Sequence, residues 1–298
     1  LFTQDYLRTF DFINRGWSTI VDTQNGQQLK IDVERLKLES PNASTGTGKS
    51  DWTVSIDDLQ TQIPNIDVGQ LVVSWFGSDL RMGNCKIAPL REFRDRHDLN
   101  KVNTWDVSGY WDTSELVSRD SDGNPVYGGT PSDSSIYSAI KDLKERGMQV
   151  AFYPFILMDL DFDFFGPDSL GDTLPNPYSD NASEIGQPRF PWRGRITVSP
   201  AREYAGSPDG TSGAVTQVNN FFGSSTPSNF GSWDGWTIPY TAASPEESYS
   251  RMILHYAKLC QQAGGVDVFY IGSELVRILQ TRGPSNSFPA VDKLVTIA

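Results

Sequence analysis

The sequence is poor in the residues that usually carry covalent or metal chemistry. Two cysteines, Cys85 and Cys260, lie far apart in 298 residues. They form no disulfide framework and no Cys-x-x-Cys pair. Cys260 falls in an apolar helical pattern and is expected to be a buried thiol. Only two histidines, His97 and His255, are present, without the paired spacing of a zinc site. No apolar run approaches the ~20 residues of a membrane span. The start, LFTQDYLRTF, lacks the charged region and apolar core of a signal peptide. Its first residue is not Met, so a fragment or a processed piece is expected. Basic blocks are missing too, and the net charge is −12. Nucleic-acid binding is therefore not expected, because phosphate contacts need clustered Lys and Arg.

What the chain has in quantity is aromatic residues: 8 Trp, 11 Tyr and 16 Phe. With 38% hydrophobic residues the composition is globular. Its length suits one large domain, or one domain with an appendage. Residues 1–62 read as an arm or connection, with an apolar patch at Leu7, Phe10, Phe12 and Ile13, alternation from Leu29 to Leu38, and a polar linker over 40–51. Within that linker, STGTGKS ends like a phosphate loop. Ala43 stands where the first glycine belongs, and the surrounding sequence is not strand then helix, so a plain linker is the better reading.

From residue 63 the pattern becomes βα repetition. Buried parallel strands are expected at 68–76, 149–159 and 266–271, with a weaker one at 105–111. The spacing predicts a helix over 131–147, with Ser132 or Asp133 as cap and Gly147 as stop. A second is expected over 244–265, opened by a capping box from Ser244 to Glu247, and a third starts at Pro289. Residues 160–243, rich in Gly, Pro, Ser and Asn, read as a long loop insertion. Strand-helix alternation with short returns implies a parallel α/β sheet of about four βα units, and the chain stops in mid-fold.

Three groups of residues could carry chemistry. Glu274 follows the greasy run VDVFYIGS, at a strand end where barrels place catalytic groups and where helix N-termini also favour acids. Asp79, Asp159, Asp161 and Asp163 form a strand-end acid set. The last three share a face in MDLDFDFF, but the glycine and glutamate of a calcium loop are missing, so a solvated loop edge is the better reading. In FPWRGRITVSP, Trp192 with Arg193 and Arg195 supplies either a sugar-stacking face with donors or a loop plug with paired arginines.

Five blocks in order, LVVSWFGSDLRMGNCKIAP, YGGTPSDSSI, AIKDLKERGMQVAFYPFILMD, QPRFPWRGRIT and LHYAKLCQQAGGVDVFYIGSELVRI, resemble one family. It is the glycoside-hydrolase-like TIM-barrel domain of the baseplate "megatron" tail proteins of gene transfer agents and related siphophages. The resemblance covers roughly residues 64–298. It implies a (β/α)8 barrel of which this chain holds about the first four units, in a trimeric virion tail-tip protein that meets other hub proteins and host envelope glycan. It implies Glu274 as acid/base after the fourth strand, in a stretch similar to the Gly-[Asn/Thr]-Glu of retaining glycosidases. The nucleophile would follow a seventh strand. On that reading Trp75, Tyr153 and Trp192 stack on sugar rings, while Asp79, Arg81 and Asp159 orient hydroxyls; no cofactor or metal is expected. The alternative is a barrel without catalysis, serving as a structural subunit or adhesin.

Overall fold

The computed structural model describes residue 47 and residues 49–92, 105–110, 116–160 and 170–298, with the short backbone pairing of 20–21 and 28–29. In that pairing β1 (Ile20–Val21) runs antiparallel to β2 (Gln28–Leu29). The first helix, α1 (Asp51–Gln62), is capped by Ser50, whose hydroxyl accepts from the Thr53 amide. It lies on the arm side of the expected division at residue 62. Still, it docks by burying Trp52, whose Nε1 donates to Asp142 Oδ2 at 2.8 Å.

The central sheet is built from β3 (Val68–Gly77), β4 (Ile87–Ala88), β5 (Gln149–Met158) and β6 (Val268–Phe269), in the order β4-β3-β5-β6. β3, β5 and β6 are parallel, and only β4 runs antiparallel. β3 and β5 pair over ten residues each, from Val68 opposite Gln149 to Gly77 opposite Met158. Both are rich in β-branched and aromatic residues, which suit a pleated buried surface.

Between them lies α2 (Asp133–Glu145), capped by Ser132 as the sequence suggested. Ile136, Ala139, Ile140 and Leu143 recur at three- and four-residue intervals and are all buried. They meet the sheet face formed by Leu71, Val73, Trp75, Val150, Phe152 and Ile156. Gly147 reverses the chain with φ +81°, a backbone that suits glycine. Next come the short α3 (Leu170–Thr173) and α4 (Ser212–Phe222). α4 lies inside the stretch read as a loop insertion. Its Ala214, Val218, Phe221 and Phe222 are buried, so this stretch supplies core as well as loops.

α5 (Tyr249–Gln262) begins later than the sequence predicts. Its cap is Ser248, which accepts from the Arg251 amide, and the expected box from Ser244 does not form. The reason is competition: the Glu246 carboxylate accepts from Ser224, Ser225 and Ser248, which holds the preceding residues out of the helix. α6 (Val276–Gln280) and α7 (Pro289–Ile297) complete the order. Two further expectations are corrected. Residues 105–110 form no strand; Val107 and Tyr110 close a tight turn on each other. The run 266–271 shrinks to the two-residue β6, because the Asp267 carboxylate binds the Val150 amide and only Val268 and Phe269 pair with β5. Among the described residues, Glu274 thus follows the third parallel strand, not the fourth.

A buried polar knot joins these parts. Asp133 and His255, both fully buried, meet with Nε2 2.9 Å from Oδ1. The other Asp133 oxygen accepts from Thr237 Oγ1 at 2.5 Å and from the amides of Ile238 and Ser108. One carboxylate therefore ties α2, α5, the 105–110 turn and the 230–240 segment together. Replacing Asp133 by Asn should lower stability by about 3 kcal/mol, as breaking a buried ionic network does, read from urea unfolding. Nearby, burial and the Asp133 charge push the Asp106 carboxyl up to about 7. A carboxyl that binds its proton more tightly when folded favours the fold most at low pH. Its contribution is complete below the ordinary value of 3.8 and fades as pH rises to about 7. Asp106→Asn should flatten the unfolding free energy across that window; parallel curves for wild type and variant would refute the assignment.

Candidate functional site

Helices cover one face of the sheet. On the other face, Val72, Val268 and Tyr270 remain exposed, and Tyr153 and Phe155 are half-buried. Alternation places Tyr153 and Phe155 together on that face, since successive strand side chains point to opposite sides. Their ring centroids are 5.8 Å apart, and Tyr270 lies 5.1 Å from Tyr153.

The 188–195 segment folds over this aromatic patch. A 3₁₀ turn, Arg193–Arg195, presents Arg193 to the residues after β6. Arg193 Nη2 lies 2.9 Å from Glu274 Oε2, and Nε donates to the Ser273 carbonyl at 3.1 Å. Nη2 also donates to the Tyr153 hydroxyl at 3.3 Å, and the guanidinium carbon sits 4.9 Å from the Phe155 ring centroid. The Tyr153 hydroxyl donates in turn to Ser273 Oγ. Trp192 Nε1 donates to the same Glu274 oxygen at 2.6 Å. Two donors thus converge on Oε2 of a side chain that is 51% exposed.

The backbone is arranged for this. Glu274 and Phe190 both adopt left-handed conformations, φ +55° and +57°, which are uncommon for side chains with a Cβ. Glu274 therefore leaves the strand direction at a sharp angle, so it is neither a strand residue nor an acid inside a helix. Gly194 matters for a steric reason: a Cβ there would fall 2.4 Å from the Trp192 ring. The indole lies against the bare glycine backbone while 40% of the residue stays exposed. Phe190, 75% exposed, stands next to it in sequence.

Of the residues expected to act together, Glu274, Tyr153 and Trp192 do meet. The other four do not join them. Trp75 has no exposed surface and donates from Nε1 to the Tyr256 hydroxyl at 2.8 Å; it is a core residue and cannot stack on a sugar. Asp79 is buried and accepts from Arg81 through both oxygens, while Gln187 Nε2 donates to Oδ1 at 2.6 Å. That pair anchors the end of β3 to the 187–197 segment and has no hydroxyl to orient. Asp159 lies just past β5 and accepts from the Ser118 amide at 2.9 Å. It is four residues beyond Phe155, roughly 13 Å along an extended chain. Asp161 and Asp163 lie outside the described residues. No group of three or more His, Cys, Asp or Glu is placed to hold a metal among the described residues. No helix among them is long and apolar enough to cross a membrane.

Sequence reasoning left Ser273, Tyr270 and Phe155 out of the site. Phe155 and Tyr153 shared a strand parity that could have paired them; nothing local marks Ser273 as the partner of Tyr153. As a test of the geometry, Gly194→Ala should drive the indole away from Glu274. The Trp192 Nε1 proton resonance would then move to its position in Glu274→Ala, and an unmoved resonance would show that the glycine is not what seats the ring.

Residues 247–298 match the family model described as the GTA TIM-barrel-like domain. The match covers α5, β6, α6 and α7, and so includes Glu274, but it leaves Trp192 and Tyr153 outside. No curated protein matches the chain. Over that C-terminal stretch, therefore, the chain is similar to a gene-transfer-agent barrel domain.

Proposed function

We propose that this protein is a tail-tip or baseplate component of a phage or gene transfer agent, whose glycosidase-like barrel binds host-envelope glycan during entry. The observation that carries the binding reading is the cluster around Glu274. Exposed Trp192, Phe190 and Tyr270 stand beside a carboxylate and a guanidinium that can share hydroxyl hydrogen bonds. Sugar sites combine flat apolar faces with a few placed polar groups in this way. The likeness of residues 247–298 to a gene-transfer-agent domain supports the setting. In that setting the partners are other hub proteins, a homotrimer around the tail axis, and the envelope polymer.

Hydrolysis is a separate question within this reading. Retaining glycosidases need a second carboxyl about 5 Å from the acid. Among the described residues, the hydrogen bonds and ion pairs of Glu274 run to Trp192 and Arg193, and no carboxyl joins the cluster. We therefore place binding first. Glu274 is the acid/base of an active enzyme, and in the alternative, a barrel without catalysis, it is a hydroxyl acceptor.

Binding of the protein to envelope polysaccharide and to peptidoglycan sacculi tests this directly. Trp192→Ala should weaken the preferred glycan about tenfold, equivalent to ~1.4 kcal/mol. If no envelope fraction binds, the reading fails. Release of reducing ends by wild type and its loss in Glu274→Gln would establish hydrolysis; binding without release would establish the non-catalytic form.

A further inference from the structure

Beside the aromatic cluster lies a patch with a charge opposite to that of the chain as a whole. The net charge is −12, yet arginines gather where the 193–202 segment meets α6. Arg193, Arg195, Arg202, Arg277 and Arg282 face three carboxylates, Glu203, Asp209 and Glu274. The pairing is uneven. Arg282 takes Asp209 through Nε and Nη2, at 2.8 and 2.6 Å, and its amide binds the other oxygen. Arg202 reaches that already occupied carboxylate only at 3.5 Å and stays 45% exposed. Arg277 holds Glu203 at 2.7 Å, at the surface. Arg195 has no carboxylate partner among the described residues; it lies 5.4 Å from the Tyr178 ring centroid and donates to the Arg189 carbonyl at 3.4 Å. Burial raises the Tyr178 phenol, and the charges of Arg277 and Arg195 both oppose that rise, so both guanidiniums stand close to it.

A cleft opens within this patch, bordered by Thr197, Arg202, Asp209, Arg277, Gln280 and Thr281. Its walls are the segment that continues from the Arg193–Arg195 turn and the helix that follows Glu274. That turn packs directly on α6, so cleft and aromatic cluster share a scaffold. Its polar lining, with two arginines at the rim, suits an anion better than an apolar ligand.

We infer that this cleft is an anion subsite, which takes the carboxylate or phosphate of an acidic saccharide whose neighbouring ring stacks on Trp192. The inference rests on the glycan reading for the ring and on the arginine geometry for the charge. Arg202 is the residue that selects charge: its guanidinium is the least committed at the rim, and an incoming anion supplies the partner that Asp209 does not.

Calorimetric titration of the whole protein tests it, with oligogalacturonate, its methyl ester, a mannose-phosphate oligosaccharide and inorganic phosphate as probes. A charged sugar should bind ~10-fold or more tighter than the neutral ester, with the gap closing as salt is added. The stronger of the galacturonate and mannose-phosphate arms identifies the carboxylate or the phosphate as the natural anion. Arg202→Gln should close the gap without moving the thermal unfolding midpoint, and Arg202→Gln/Arg277→Gln should abolish phosphate binding. Trp192→Ala should weaken every sugar equally and leave inorganic phosphate unaffected. Equal affinity for acid and ester, or a gap that survives the double substitution, overturns the subsite. If phosphate binds through Arg202 but no sugar does, the anion subsite stands and the glycan reading falls. If nothing binds, both fall.

Discussion

The parallel register of Val68–Gly77 against Gln149–Met158 sends alternate side chains to opposite sides of the sheet. One side, with Leu71, Val73, Phe152 and Ile156, takes the apolar stripes of α2 and α5. The other carries Val72, Tyr153 and Phe155, which no helix covers. Every later feature depends on this division. The covered side supplies the core. The open side supplies a floor of aromatic rings over which the 188–195 segment folds, and Glu274 arrives at the edge of that floor from the end of β6.

Two polar knots keep the long segments between strands from drifting off this frame. Asp133 gathers donors from the 105–110 turn, the 230–240 segment and α5. Asp79, with Arg81 and Gln187, pins the end of β3 to the stretch that leads to Trp192. Leu80 closes that link by donating its amide to Gln187 Oε1 at 2.9 Å. Both aspartates are buried, and each is satisfied on both oxygens. Buried charge is costly unless paired and hydrogen-bonded, so such groups hold segments in one arrangement. Residues that read as site candidates from their place at strand ends, Asp79 above all, turn out to position the site from outside it.

The helices and long strands were legible because their signals are local. Ile136, Ile140 and Leu143 recur at helical spacing, and the apolar runs of β3 and β5 are uninterrupted. Misreadings came where two local signals competed or where none existed. Ser244 and Ser248 are both good caps, and the choice between them was made by distant serines that recruit Glu246. WDVSGYW has strand-like composition, but Ser108 and Gly109 take positive φ and close a turn. α4 was hidden by surrounding glycines and serines, although its buried Phe221 and Phe222 pack on Tyr249.

The sequence alone determined the α/β class, the main helices and strands, and the prominence of Glu274 and the FPWRGR stretch, because periodicity, caps and breakers act within a few residues. Only the tertiary structure decided which candidates meet. Trp75 and Trp192 are indistinguishable as residue types, yet one is sealed in the core by strand parity and the other is held at the surface by the bare backbone of Gly194. Glu274 acquires Trp192 and Arg193 from about 80 residues away in sequence. A contact of that separation is set by sheet register and by the buried aspartates that fix the intervening chain, and neither leaves a local mark.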